Sequence, residues 1–155
     1  MRRTAAALAA WIIATIPASA AEEPAWRATD GDSLRHGRSA HRLYGIDAPE
    51  LRQTCRRGQE DWPCGEAARD RLAALIEGRA IACETLEQDR YGRSVSICRA
   101  DGTDLAALLV REGLAVAYLR YSWRYLPDEA YARIRRRGVW SGEFELPEQF
   151  RARHR

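Results

Sequence analysis

The stretch that most constrains the fold is residues 42–50, Arg-Leu-Tyr-Gly-Ile-Asp-Ala-Pro-Glu. Its central apolar residues predict a strand, and Pro49 ends that strand because proline has no amide hydrogen for a sheet ladder. Asp47, Glu50 and the guanidinium of Arg42 therefore leave the same strand together. Such a strand end suits a hard cation and a phosphate. Taken alone, however, an Asp-x-Pro-Glu turn is more often structural than functional.

The first 20 residues have the pattern of an export signal. Arginines at positions 2 and 3 precede a 12-residue apolar run at 5–16, and Ala-Ser-Ala at 18–20 is a small-residue cleavage site. Because a membrane-spanning helix needs about 20 apolar residues, we predict a cleaved signal peptide, with an uncleaved N-terminal tether as the alternative. The remaining residues, 21–155, are enough for one compact domain.

The overall charge does not indicate a general affinity for polyanions. The precursor has 25 basic and 22 acidic residues. Loss of the two signal arginines leaves 23 against 22, a net charge of +1. Any binding of anions must therefore come from the local placement of arginines rather than from the field of the whole protein.

The four cysteines are expected to form two disulfides, since export leads to an oxidising compartment. Cys83 and Cys98 lie at similar distances on either side of residues 90–91, as cross-strand partners of a hairpin would, and Cys55 and Cys64 close a short loop. We predict these two pairs among the three possible pairings, each worth about 3 kcal/mol by loop entropy. Zinc binding is a weaker alternative, because the sequence contains no Cys-x-x-Cys pair.

Turn residues and apolar periodicity predict short strands followed by interspersed helices. The predicted strands are 26–29, 33–36, 40–45, 80–84 and 94–99, and the predicted helices are 66–77, 105–112 and 128–137. Residues 51–63 read as a surface loop, and the tail from Ser141 as a segment that drapes over the domain and frays at its end. Nothing shows the regular strand-helix alternation of a parallel sheet, so we predict an α+β fold, a small and mainly antiparallel barrel with packed helices.

Three segments have residues that could perform chemistry: Asp-Gly-Asp at 30–32, the group of residues in 42–50, and Asp-Arg-Tyr-Gly-Arg at 89–93. Each one taken singly is better explained as a turn or a hairpin tip. Together they supply carboxylates for an oxygen-seeking cation and for a general base, and two guanidinium groups for a phosphate.

With these segments the chain resembles the staphylococcal-nuclease-like (thermonuclease) family from about Thr29 to Trp140. The matching elements, in family order, are Asp-Gly-Asp-Ser at 30–33, the nine residues of 42–50, Cys-Gly-Glu-Ala at 64–67, Asp-Arg-Tyr-Gly-Arg at 89–93, Leu-Val-Arg-Glu-Gly-Leu-Ala at 109–115 and Arg-Gly-Val-Trp at 137–140. The resemblance implies a five-stranded OB-type barrel with three helices. It also implies calcium-dependent hydrolysis of DNA and RNA that leaves a 3'-phosphate.

The resemblance also implies a role for each matching position. Asp32 and Asp47 match the carboxylates that bind Ca²⁺, and the backbone carbonyl of Ala48 matches a further ligand. Glu50 matches the base that activates water. The two arginines that match the pair holding the scissile phosphate are Arg42 and Arg93.

The resemblance implies that aromatic residues in and near the loop of residues 89–93 bind the bases of the substrate. Tyr91 and Tyr118 fall where the family places rings beside the bound nucleotide, and stacking on every base alike would explain a broad sequence tolerance. No lysine lies near this loop, so Arg90 would have to serve in its place. For Tyr118, a role as a core or rim residue is an equal alternative.

The sequence therefore predicts an exported calcium-dependent endonuclease that acts on DNA, RNA or both. The alternative is a non-catalytic module of the same fold that binds nucleic acid or protein. We predict a signal peptide at 1–20, a nuclease-like OB-type domain at 21–140 and a C-terminal tail at 141–155. The mature protein is expected to be a periplasmic or secreted monomer without stable membrane association.

Overall fold

The computed structural model describes residues 24–154. The strands are β1 (Trp26–Asp30), β2 (Ser33–His36), β3 (Ser39–Leu43), β4 (Ile46–Asp47), β5 (Cys55–Arg57), β6 (Glu60–Trp62), β7 (Ile81–Gln88), β8 (Ser94–Ala100), β9 (Thr103–Asp104) and β10 (Val116–Ala117). The α-helices are α1 (Cys64–Ile76), α2 (Leu105–Arg111), α3 (Leu126–Ile134) and α4 (Pro147–Arg153), and a 3-10 helix spans Gly138–Ser141. The predicted signal peptide lies outside the described residues.

The main sheet has the strand order β1-β2-β3-β8-β7, and β9 pairs with the C-terminal end of β8. Its hairpins are antiparallel, but β3 and β8 pair in parallel, with Arg42 opposite Val95. The α+β, OB-like fold class is confirmed. The sheet differs in detail from the prediction, because it has six strands and mixed directions.

The core lies between this sheet and the first two helices. Leu34 and Leu43 from the sheet meet Leu72 of α1 and Leu105 and Leu109 of α2, and each is at most 1% exposed. Burial of each such side chain contributes roughly 1.5–3 kcal/mol. In the described part of the chain, no helix has the length and apolar character that crossing a bilayer requires.

Both predicted disulfides are present. Cys83 and Cys98 are directly opposed in the β7–β8 pair, and Cys55 at the start of β5 is bonded to Cys64 at the start of α1. Residues 24–154 contain no free cysteine, so the zinc alternative is wrong.

Three local predictions are corrected by the structure. The strand predicted at 40–45 ends at Leu43, where Gly45 turns with a positive φ of 74° that other residues rarely adopt. After the turn, Asp47 lies in the separate strand β4, which pairs with β10. The surface loop predicted at 51–63 contains the hairpin β5–β6, whose ends are joined to α1 by the Cys55–Cys64 bond.

The C-terminal tail drapes over the domain as predicted and contains a fourth helix, α4, that was not predicted. Pro147 begins this fourth helix, and Glu148 in its first turn and arginines in its last turn complement the helix dipole. The buried Gln53 donates from Nε2 to the carbonyl of Glu145 at 2.6 Å, and Arg120 pairs with Glu148 at 3.1 Å. These contacts bring α4 against the turn that follows β4.

Candidate active site

Two buried carboxylates form the centre of the site. Asp32 lies in the turn between β1 and β2, and Asp47 ends β4; the two residues are 4% and 1% exposed. Asp32 accepts hydrogen bonds from the Ser33 hydroxyl at 3.1 Å and from the Ala48 amide at 3.2 Å. The hydrogen bond from the Ala48 amide links the turn of residues 30–32 to the end of the strand that contains Asp47.

Arg42 joins the two carboxylates. Its Nη2 atom lies 2.9 Å from Asp32 Oδ2 and 2.9 Å from Asp47 Oδ1, and its Nη1 donates to Asp32 Oδ1 at 3.0 Å. One positive charge is therefore shared by two acidic groups. Burial raises the pKa of Asp32 to about 7, although Arg42 acts in the opposite direction.

Glu50 lies at the edge of the same site with its side chain 39% exposed. Gln53 fixes its backbone: the Glu50 amide donates to Gln53 Oε1 at 3.1 Å, and the Gln53 amide donates to the Glu50 carbonyl at 2.7 Å. The start of α1 also packs here. A Cβ added at Gly65 would lie 1.8 Å from the Glu50 carbonyl oxygen, so only glycine allows this approach.

The tip of the β7–β8 hairpin fixes the position of Arg93, the second arginine of the site. Asp89 Oδ1 accepts from the amides of Tyr91 at 2.9 Å and Arg93 at 3.0 Å, and Asp89 Oδ2 accepts from Arg93 Nε at 2.8 Å. Burial alone would raise the pKa of Asp89, but these hydrogen bonds hold it below the usual value. Arg90 lies over the Tyr91 ring, 4.9 Å from its centroid, and Tyr91 is 69% exposed.

The three segments converge on one cavity of about 480 Å³. Its lining includes every predicted catalytic side chain and most of the predicted binding residues: Asp32, Arg42, Ala48, Glu50, Arg90, Tyr91 and Arg93. Asp47 does not belong to this lining, but its carboxylate pairs with Arg42, which does. Tyr118 also lies outside this lining, in a neighbouring cavity of about 650 Å³ that shares Arg42, Arg90, Tyr91, Arg93 and Arg151 with the first.

Sequence reasoning missed one residue of the site, Arg151 in α4. Its Nη1 atom donates to Asp47 Oδ1 at 2.9 Å and to Glu50 Oε1 at 2.8 Å, and its Nη2 atom donates to Asp47 Oδ2 at 2.9 Å. The helix itself could have been found from Pro147 and the charges of its two end turns. The contact could not, because a single arginine in a polar tail gives no signal of a partner 104 residues away.

Comparisons with known proteins agree with this geometry. The sequence model described as "Staphylococcal nuclease homologue" matches residues 40–142. The chain is 32% identical to "Micrococcal nuclease" of Shigella flexneri over 144 residues, which cover 76% of this chain and 77% of the relative. It is also 32% identical to "Staphylococcal-like nuclease CAN1" of Arabidopsis thaliana, over 74% of this chain, but it spans only 33% of that longer relative.

Similar plant and fungal proteins are also longer than this chain. It spans 32% of an uncharacterized protein of Capnoides sempervirens and 44% of "Probable endonuclease LCL3" of Schizophyllum commune. The part that matches is the part that contains the β3–β4 segment, the hairpin tip and the two disulfides. The chain belongs to the staphylococcal nuclease homologue family.

Proposed function

We propose that this protein is a calcium-dependent nuclease that hydrolyses phosphodiester bonds in DNA, RNA or both. The observation that carries the proposal is the convergence of Asp32, Arg42, Glu50 and Arg93 on one cavity, although they come from three separate segments. Acids and arginines that face one cavity combine the two requirements of phosphoryl chemistry, a base for water and positive charge for the phosphate.

The donor set fits a hard cation. Asp32, Asp47 and the backbone carbonyl of Ala48 would hold Ca²⁺, and all three offer oxygen, which calcium prefers. The two carboxylates already share one positive charge, since both lie 2.9 Å from the same Arg42 nitrogen. When bound, the cation would supply positive charge beside the phosphate oxygens.

Glu50 acts as the general base in this proposal. Its carboxylate lines the cavity and is partly exposed, so it can reach a water molecule, while Gln53 and Gly65 fix its backbone. One of its carboxylate oxygens takes a proton from the water as that water's oxygen attacks phosphorus, the bond from phosphorus to the leaving ester oxygen breaks, and that oxygen takes a proton from solvent. General base catalysis of this kind typically contributes about 10²–10⁴-fold to the rate.

Arg42 and Arg93 hold the phosphate in this proposal. Both line the cavity, and their side chains are 22% and 29% exposed, so each can turn donors towards a ligand while keeping its carboxylate partner. Guanidinium groups bind phosphate oxygens with two parallel hydrogen bonds. Charge that grows on the equatorial oxygens during attack is thereby neutralised.

The neighbouring cavity extends this site for a nucleic-acid strand. Tyr91 and Arg90 at the hairpin tip and Tyr118 beyond β10 line it, and an exposed ring can stack on any base. We therefore expect broad sequence tolerance and a preference for unpaired strands. The two disulfides support the further proposal that the protein is exported to the periplasm or the medium, where we expect it to act as a monomer.

Incubation of residues 21–155 with circular single-stranded DNA tests this function. We expect cleavage with calcium and none after chelation, and circular DNA makes an endonucleolytic cut visible. Full cleavage in chelator would contradict the cation assignment, and cleavage of linear DNA alone would identify an exonuclease. Binding of DNA without any cleavage would favour the non-catalytic module of the same fold.

A further inference from the structure

Arg151 binds the acidic centre of the site from outside the residues that the family model matches. The family match ends at residue 142, and Arg151 lies in α4, Pro147–Arg153. Its guanidinium donates to both carboxylate oxygens of Asp47 at 2.9 Å and also to Glu50 at 2.8 Å. A proposed cation ligand and the proposed base are therefore tied to the same side chain.

The contact leaves Asp47 no free side-chain oxygen. Arg42 and Arg151 both donate to Oδ1, and Arg151 also donates to Oδ2. A cation at this carboxylate competes with the guanidinium groups, because Oδ1 already accepts from two arginines and Oδ2 from one. Since like charges repel strongly at such short range inside a protein, binding of a cation at Asp47 favours the departure of one arginine.

Arg151 is the side chain that can leave at the lower cost. Arg42 lies on β3 in the middle of the sheet and also binds Asp32. Arg151 lies on a helix of seven residues near the C-terminus, and its side chain is 32% exposed. Its departure would break the hydrogen bonds to Asp47 and Glu50.

We propose that Arg151 is an internal counter-ion that competes with the cation for Asp47, so that the C-terminal helix sets the cation affinity. The same departure releases Glu50, which couples cation binding to the freeing of the base. The inference rests on the proposed function, because it assumes that Asp47 binds the cation. It concerns affinity and the state of Glu50, not the chemical step.

The expected size of the effect follows from a two-state equilibrium. When a site is available only in a minor state, the apparent Kd rises by the inverse of that state's population. A bidentate charge-assisted contact plus a second ion pair should favour the closed state by roughly tenfold or more. Removal of the guanidinium should therefore tighten calcium binding by about tenfold or more.

Calorimetric titration of calcium into the parent, Arg151→Met and Arg153→Met tests the proposal. Methionine keeps the length of the side chain without its charge. Arg153 is the matched control: it lies on the same helix, its side chain is 67% exposed, and it pairs with Glu145 rather than with the site. We expect Arg151→Met to bind calcium about tenfold or more tightly than the parent, and Arg153→Met to bind within twofold of it.

Thermal unfolding provides a second readout that keeps the test valid if the variant is less stable. Loss of Arg151 should lower the Tm in chelator, because Asp47 and Glu50 lose their partner, and should enlarge the Tm increase that calcium produces. A purely structural arginine would lower the Tm equally with and without calcium, and that result would overturn the proposal.

Other outcomes also decide the question. Equal calcium affinity in the parent and Arg151→Met would show that no competition exists, and weaker DNA binding in the same variant would identify Arg151 as a substrate contact. Equal tightening in Arg153→Met would assign the effect to long-range charge instead. Cleavage of DNA by the parent, measured in parallel, shows whether the proposed function stands when the competition does not.

Discussion

The contact between Gly65 and Glu50 gives a sharp prediction for Gly65→Ala. A Cβ at residue 65 would lie 1.8 Å from the Glu50 carbonyl oxygen and 2.7 Å from its carbonyl carbon, where separations under 3.0 Å are essentially never found. The obstacle is backbone rather than the end of a flexible side chain. The start of α1 and the Glu50 turn must therefore separate by more than 1 Å.

Two effects of this separation can be estimated. Forcing extra atoms into packed structure typically costs about 1–3 kcal/mol, so the free energy of unfolding should fall by that amount. A displacement of about 1 Å in a catalytic group can lower a rate by about 10²-fold. We therefore expect Gly65→Ala to fold with a lower Tm and to lose about two orders of magnitude in kcat.

Initial rates on single-stranded DNA with saturating calcium measure the effect, with the folded fraction monitored by circular dichroism. Gly78→Ala is the control. Gly78 has a positive φ of 65° and nothing within 4 Å of its added Cβ, so that variant should lose about 1 kcal/mol through backbone strain and keep the parent rate. A folded Gly65→Ala protein with the parent rate would refute the argument that this contact positions Glu50.

Three further predictions follow from the site and the disulfides. Burial raises the pKa of Asp32 from 3.8 to about 7, so the stability that its protonated form contributes is complete below pH 4 and is lost as the pH rises through 7. In chelator, the Tm of the parent should therefore fall relative to the Tm of Asp32→Asn between pH 5 and 8. A constant difference in Tm over this range would contradict the raised pKa of the buried carboxyl. Reduction of the Cys55–Cys64 and Cys83–Cys98 bonds should lower the Tm, by an amount equivalent to about 3 kcal/mol per bond, and an unchanged melting curve in thiol would show that neither bond stabilises the fold. Tyr91→Ala should weaken binding of single-stranded DNA by about 1–3 kcal/mol with little change in kcat, and unchanged affinity in a binding titration would remove this ring from the nucleotide site.

Local signals in the sequence were enough to predict most of the elements. Asp104 caps α2 through hydrogen bonds to the amides of Ala106 and Ala107, as a capping residue before an apolar run predicts. Symmetric spacing about the hairpin tip identified the Cys83–Cys98 pair. These features depend on residues close in sequence, so periodicity and turn chemistry report them.

Features that depend on distant residues were not predicted. The parallel pairing of β3 with β8 places Arg42 opposite Val95, and no local pattern specifies that register. The small strand β4 forms only because β10 pairs with it. Arg151 reaches Asp47 because Gln53 and Glu145 anchor the tail, which is a tertiary contact between polar residues without periodicity.

In the candidate site too, the residues within each segment were predicted from the sequence, whereas their meeting in space depends on distant parts of the chain. Composition and spacing suggested only that acids and arginines were available in three segments, and the family resemblance supplied the expectation that they meet. The structure brings them to one cavity, with Asp32 and Asp47 joined by Arg42.

The most direct test of the central claim is the cleavage rate of Glu50→Gln on single-stranded DNA with calcium, together with its affinity for the same DNA. Glu84→Gln is the control, because the Glu84 side chain is 65% exposed on β7 and outside the cavity. We expect Glu50→Gln to bind DNA like the parent but to cleave it about 10²–10⁴-fold more slowly, and Glu84→Gln to be unaffected. Cleavage by Glu50→Gln at the parent rate would contradict the account.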